Sequence, residues 1–412
     1  MVADGFFAPQ AETDVKGTFA GLRRDFPQVD VVVVTEEEGD DALADALRDA
    51  DAVVGIPPPQ AFAAGLRWVH HPVSGFALAA DHPLMTSDAV LTNAPGAHVP
   101  AMADWVLAMM LSWAQRMEEH FNNMRAKRWA PTDFVRYEED YWGVEELQDT
   151  TVGIVGMGGL GEAIAQRCLG FGCRVIGLAR TPRPQAEADE LGIEAVWGPS
   201  QLEELLPQTD WLVVTCPLTD ETRGMIGEAQ LRLMKPSARI IVLSRGAIVS
   251  EAALIAALEE GRLRGAAFDS FCGEELAEDY PDSEMIGDGA TPCLPSPKPS
   301  CPAGPLALTC SPPLPSPRAI GLLALTCLPP LPSPRAMAFW LSLSGDAAVA
   351  GPGNCYPRDC PLWDHPGVII TPHTSGVSPQ LNARRADVLH ENLRRFLAGE
   401  PFIRVCDKVA GY

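Results

Sequence analysis

The sequence is poor in positive charge. It carries 31 Lys and Arg against 54 Asp and Glu, for a net charge of −23. Such a balance repels nucleic-acid backbones and anionic membrane surfaces, so neither is an expected partner. An anionic substrate would have to be held by local arginines against an acidic background. No uncharged apolar run reaches the roughly 18 residues of a membrane helix. The N-terminus lacks the basic-then-apolar pattern of a secretory signal, so a cytoplasmic protein is expected. The 11 Cys show no Cys-x-x-Cys spacing, which reads as free thiols in a reducing compartment and no metal site. One further absence is local: no Asp or Glu lies between Ala163 and Ala186.

Beside that acid-free stretch stands a glycine cluster. Gly156-Met157-Gly158-Gly159-Leu160-Gly161 follows the apolar run 151–155 and opens a helix-like pattern over 162–171. In that context the glycines read as a dinucleotide-binding fingerprint. The first allows a tight turn, the second lets backbone N–H groups approach a pyrophosphate, and the third lets the helix pack on its strand. The next apolar run, 174–178, ends in Ala179-Arg180-Thr181-Pro182-Arg183. An acid here would hold the ribose 2′-OH of NAD. Two cations in its place suit the 2′-phosphate of NADP. The plainer reading of Arg180 and Arg183 is a solvated loop. NADP is the expected cofactor and NAD the alternative.

At 412 residues, 47% hydrophobic and 21% charged, the chain can build two or three cored domains. Periodicity places strands over 29–35, 52–56 and 66–73, a helix over 40–49, and a long, mostly apolar helix over 100–117. From residue 151 the alternation restarts, with strands near Val152, Val175, Trp211, Ile240, Ala266 and Val368. This predicts an α/β fold: two doubly wound, parallel-sheet (Rossmann-like) domains with a cleft, plus an irregular proline-rich insertion. Residues 1–112 and 378–412 are assigned to a substrate domain, and 113–377 to the cofactor domain. Helical pattern begins by residue 11, so a strand ahead of it is short or missing. The amphipathic stretch 379–398 is expected to return to the first domain.

The insertion spans 283–358. Between Pro281 and Pro361 lie 18 of the 38 prolines, which block helix and central-strand pairing. A 14-residue stretch beginning at Leu306 recurs from Leu323 with one change. Two readings compete: a partner-binding proline-rich arm, or duplicated or mis-spliced sequence with no selected structure. The near-identity of the repeats favours the second.

The chemistry flanks this segment. Ser244-Arg245-Gly246 ends the strand at 239–243, Asp269 ends the next one with Glu274 five residues on, and Thr371-Pro372-His373 follows the strand at 368–370. Strand C-terminal ends are where open α/β sheets bind ligands. Reduction of a 2-keto acid needs such a set. An Arg holds the carboxylate and polarises the ketone. A His protonates the developing alkoxide, and a carboxylate beside it favours the imidazolium. Taken singly, Arg245 reads as a loop cation, Glu274 as a surface acid and His373 as a strand-end cap. Their order and context favour the joint reading.

The stretch from Gly153 to Gly161, Pro217-Leu218-Thr219-Asp220-Glu221-Thr222-Arg223-Gly224, Ser244-Arg245-Gly246, Thr371-Pro372-His373 and Leu362-Trp363-Asp364 resemble the D-isomer-specific 2-hydroxyacid dehydrogenases. The resemblance implies Arg245, Glu274 and His373 as the catalytic set, and a carboxylate-binding turn at Val73-Ser74-Gly75. It also implies Cys216, Pro217, Asp269 and Gly376 as cofactor-lining positions beside Gly156, Gly158, Gly159, Leu160, Gly161, Arg180, Thr181 and Arg183. The basic strand end resembles the branch of NADPH-preferring glyoxylate and hydroxypyruvate reductases, usually homodimers. An NAD-dependent dehydrogenase of another 2-hydroxy acid, and a non-catalytic nucleotide-sensing scaffold, remain the alternatives. Val242 and Ser250 depart from the family pattern of Asn and Asp. The larger departure is the 99 residues from Glu274 to His373. Lengthening a floppy loop fourfold adds only ~1.3 kcal/mol of closure entropy. Plugging of the cleft by apolar residues is the greater hazard.

Overall fold

A computed structural model describes residues 21–34, 39–72, 81–136, 141–270, 337–340 and 360–408. By contact, the chain divides into residues 1–280 with 335–412, and residues 281–334, which lie outside the described set. Its strands, in chain order, are β1 (Val31–Val34), β2 (Ala52–Val54), β3 (Trp68–His71), β4 (Val90–Asn93), β5 (Val135–Arg136), β6 (Tyr141–Trp142), β7 (Thr151–Val155), β8 (Arg174–Leu178), β9 (Ala195–Trp197), β10 (Trp211–Val214), β11 (Arg239–Val242), β12 (Gly265–Phe268), β13 (Met337–Trp340) and β14 (Val368–Ile370). Four helices bear on the site: α1 (Gly39–Leu47), α2 (Val99–Ala114), α3 (Gly159–Gly170) and α4 (Leu381–Ala398).

The strands form two parallel sheets and a short antiparallel hairpin, β5–β6. The larger sheet runs β14-β12-β11-β10-β7-β8-β9 and the smaller β1-β13-β2-β3-β4. The molecule therefore has two Rossmann-like α/β parts with a cleft, as the alternation predicts. Valine recurs in both sheets, joined by isoleucine in the larger one, because β-branched side chains fit a pleated, buried surface. Alternation assigns each face. Ile154, Val213, Ile241 and Ala267 pack with α2 and α3, whereas Val155, Val214, Val242 and Phe268 enter the opposite core. In the small sheet Val53 and Val69 face α1, while Ala52, Val54 and Trp68 face Leu389 and Leu393 of α4. The C-terminal helix thus returns to the first sheet.

α2 crosses from one sheet to the other. It is apolar nearly all round, and Ala103, Val106, Leu107 and Met110 are buried. Asp104 on α2 pairs with Arg167 on α3 at 2.7 Å, which fixes the crossing helix against the helix that follows the glycine turn.

Besides the hairpin β5–β6, two strands arise where periodicity gave none: β4, and β9 at the sheet edge. A third, β13, is of another kind. It lies within the range assigned to the insertion and pairs in parallel with β1 on one side and β2 on the other, Ala338 opposite Val32 and Val53. In this sheet the central place between β1 and β2 is taken by residues from far along the chain. The rest of 283–358 lies outside the described residues.

Candidate active site

The glycine turn sits at the switch point of the large sheet. From β7 the chain moves to β8 on one side and later to β10 on the other, so a crevice opens above their C-terminal ends. Gly156 has φ +116°, and a Cβ there would lie 2.5 Å from the Cys216 backbone nitrogen. Any side chain would therefore collide with the loop after β10. Gly161 packs against the Gly156 carbonyl so closely that no Cβ fits. Gly158 and Gly159 differ: a Cβ on either would meet nothing within 4 Å. Glycine at these two relieves no clash within the protein; it leaves open backbone at the start of α3, where an anion is favoured. The turn is held from below, as Gly156 N and Met157 N donate to the Leu178 carbonyl at 2.8 and 3.0 Å. Thr215 Oγ1 donates to the Gly156 carbonyl at 2.7 Å. The Cys216 thiol is half-buried, and burial pushes its pKa up to about 11, so it is no nucleophile here.

The two cations of the basic strand end have different surroundings. Arg180 is exposed, as are Thr181 and Pro217. Arg183 turns back to the glycine turn, where Nη2 donates to the Met157 carbonyl and pairs with Glu162 Oε1 at 2.7 Å. Glu162 is a residue the sequence argument missed. It directly follows Gly161, one position outside the acid-free interval, and the helical turn carries it to Arg183.

Arg245, Asp269 and His373 follow three adjacent strands. Val242, Phe268 and Ile370 are register partners across β11, β12 and β14. Val242 and Ile370 stand two strand spacings (about 10 Å) apart across β12, and Arg245 and His373 are each three residues past them in sequence, with Asp269 directly after β12. Arg245 is half-buried and its Nη1 donates to the Ser244 carbonyl at 2.8 Å. Ser270 Oγ donates to the same carbonyl at 3.0 Å, joining the loops after β11 and β12.

Asp269 is 1% exposed. Its Oδ1 accepts from Thr371 Oγ1 and from Thr374 N, the latter at 3.0 Å, and its Oδ2 accepts from Ser375 N at 3.0 Å. His373, half-buried, lies inside this loop with φ +52°, the left-handed region. The loop runs on to Gly376, where a Cβ would come within 2.8 Å of His98 Nδ1 at the head of α2. His98 Nε2 in turn lies 3.1 Å from Arg385 Nη2 of α4. Gly376 therefore sits against the crossing helix. Glu274 and the turn Val73-Ser74-Gly75 lie outside the described residues. Among the described residues no cluster of His, Cys, Asp or Glu could hold a metal ion, and no helix is long and apolar enough to cross a membrane.

This sheet order, with its glycine turn at the switch point, defines a Rossmann-type α/β protein. Residues 107–288 match the D-isomer specific 2-hydroxyacid dehydrogenase family, NAD binding domain. The glyoxylate reductase of Thermococcus litoralis is 41% identical over 196 residues, 48% of this chain and 56% of that protein. Glyoxylate/hydroxypyruvate reductase B of Pectobacterium carotovorum is 39% identical over 193 residues, 47% of this chain and 57% of that protein. The chain thus spans about half the length of the curated relatives it matches. Among solved structures, the NAD-complexed D-isomer specific 2-hydroxyacid dehydrogenase of Lactobacillus delbrueckii ssp. bulgaricus superposes with a TM-score of 0.63 at 19% identity, covering 97% of this chain and 98% of that one. An NADPH-dependent glyoxylate/hydroxypyruvate reductase of Sinorhizobium meliloti, bound to NADP and sulfate, gives 0.55 at 24% identity, covering 93% and 98%. At these identities the superpositions speak for the fold alone.

Proposed function

We propose that the chain is an NAD(P)H-dependent reductase of a small 2-keto acid, with NADPH preferred and glyoxylate or hydroxypyruvate as the favoured substrates. The observation that carries this reading is that Arg245 and His373 each follow by three residues the register partners Val242 and Ile370, on strands that flank β12, in the sheet whose switch point carries the open glycine turn. The relatives named glyoxylate reductase support the substrate class.

The open backbone at Gly158, Gly159 and Leu160 would take the pyrophosphate, and exposed Arg180 the 2′-phosphate. Arg183 and Thr181 would frame that end, and Cys216 and Pro217 the other wall. Bound there, the nicotinamide supplies the hydride for the carbonyl carbon. Arg245 would pair with the substrate carboxylate and polarise its ketone, in the same role as a preorganised cation at a developing oxyanion. His373 would hold the proton that the carbonyl oxygen takes up. Glu274 is assigned beside His373 to keep the ring charged, and Val73-Ser74-Gly75 to the carboxylate turn. The domain division at residues 112 and 378 belongs to the same proposal.

The test is NADPH oxidation by the purified full chain with glyoxylate, hydroxypyruvate and pyruvate in turn. Turnover that disappears in Arg245→Ala and His373→Ala supports the reading. A folded chain that binds NADPH tightly and turns over none of the three refutes it and leaves a nucleotide-sensing role.

A further inference from the structure

We infer that Asp269 is a positioning residue for His373, acting through the loop 371–375. The inference rests on the reductase reading, in which His373 is the proton donor. It goes beyond a contact between Asp269 and the nicotinamide, because three hydrogen-bond donors to this carboxylate come from the loop after another strand.

The three donors are the hydroxyl of Thr371 and the backbone N–H groups of Thr374 and Ser375. They flank His373 on both sides in sequence. Thr371 N also donates to the Phe268 carbonyl at 2.9 Å, so the loop is fastened to β12 at its root and to the Asp269 side chain at its crown. His373 N donates to the Thr371 carbonyl at 3.0 Å, closing a tight turn. His373, the next residue, has φ +52° although it carries a Cβ. Such a conformation persists only where the surroundings over-determine it. A buried carboxyl group with backbone donors on both its oxygens supplies that constraint. A carboxylate oxygen can accept two hydrogen bonds; of those described, Oδ1 accepts two and Oδ2 one. Positioning of His373 and a nicotinamide contact are therefore compatible, and they make different predictions.

Asp269→Asn places an amide –NH2 where one backbone N–H must find an acceptor. Thr371→Val keeps the shape and deletes one donor to the carboxylate; Thr371→Ser restores it. A displacement of about 1 Å at a reacting group costs on the order of 100-fold in rate. The expected result for Asp269→Asn is a loss of kcat of that order, with the NADPH Kd changed less than about threefold. Thr371→Val should lower kcat by roughly tenfold at unchanged NADPH Kd, by the same argument, and Thr371→Ser should recover it. Hydrogen exchange of the peptide spanning 371–375 should quicken in Asp269→Asn and Thr371→Val, a readout that needs no turnover. If Asp269→Asn weakens NADPH binding as much as it slows turnover, and Thr371→Val leaves kcat and exchange alone, the inference is overturned. Should Asp269→Asn fail to fold, the two Thr371 variants decide. If the wild-type chain reduces no 2-keto acid, the reductase reading fails and exchange still decides whether the clamp exists.

Discussion

At the residue scale the site joins groups that the sequence displays to groups it conceals. Gly156 and Gly161 announce themselves, because the Gly-x-Gly-x-x-Gly spacing after an apolar run leaves few other readings, and the fold gives both a steric reason. Glu162 was concealed by one position. Its pairing with Arg183 divides the two cations: Arg180 is exposed, while Arg183 braces the turn through Met157 and Glu162. Arg180→Asp should therefore raise the NADPH KM by about tenfold or more and leave the NADH KM within about twofold, as expected for loss of a charge-assisted phosphate contact. Glu162→Gln frees Arg183 and should tighten NADPH relative to NADH. Steady-state kinetics with both nucleotides checks the pair, and equal effects on the two cofactors would sink the clamp. A second buried group carries a pH prediction. His70 of β3 lies opposite Thr92 of β4, its Nδ1 2.9 Å from Thr92 Oγ1, which also accepts from Trp68 Nε1 at 2.8 Å. Burial, and secondarily the neighbouring His71, lower its pKa from 6.5 to about 3. Between those values the unfolded chain binds the extra proton, so stability rises with pH and is lost as pH falls from 6.5 toward 3. The slope from this group is at most about 1.4 kcal/mol per pH unit. Urea midpoints measured at pH 5 and pH 7 should differ less in His70→Gln than in the wild type.

At the scale of elements, what the sequence displayed was periodicity, and that is where it succeeded. The runs over 151–155, 174–178 and 239–243 became β7, β8 and β11, since β-branched residues between turn signals have little else to do. β4 was missed because Val90-Leu91-Thr92-Asn93 is short and follows a Pro-containing turn, and β9 because three residues make no pattern. The candidate residues Arg245, Asp269 and His373 were legible only as following strand ends; that Val242, Phe268 and Ile370 stand level depends on register, which pairing sets and composition does not. β13 could not be read at all. Met337-Ala338-Phe339-Trp340 is an apolar run amid prolines, and nothing local says that it belongs between two strands some 300 residues earlier. A central strand donates on both sides, so Ala338→Pro should remove ladder hydrogen bonds that nothing replaces. We expect a loss of about 3 kcal/mol in the small sheet. A thermal melt followed by Trp68 fluorescence reads it, Trp68 being buried in that sheet's core. An unchanged melt would mean that β13 is not part of the folded sheet.

At the scale of the molecule, β13 gives the chain an additional passage between its sheets. The backbone leaves the large sheet at β12, enters the small one at β13 and comes back at β14, so the stretch between Asp269 and His373 also contributes to the core of the other sheet. The proline-rich range is then two things. By contact, residues from 335 onward group with 1–280 and not with 281–334. This divides the reading of the whole insertion as sequence with no selected structure. Deleting 283–334 should leave a folded chain that still binds NADPH, since loop-closure entropy changes by only ~1 kcal/mol for such a shortening. Deleting 283–358 removes β13 as well and leaves β1 and β2 each with an unpaired inner edge, a template for association with other chains. That second protein should aggregate on size-exclusion chromatography, or lose the small sheet's protection against hydrogen exchange while β7–β12 keep theirs. If both deletions behave alike, the strand contributes nothing to the fold, and the sheet closes without it.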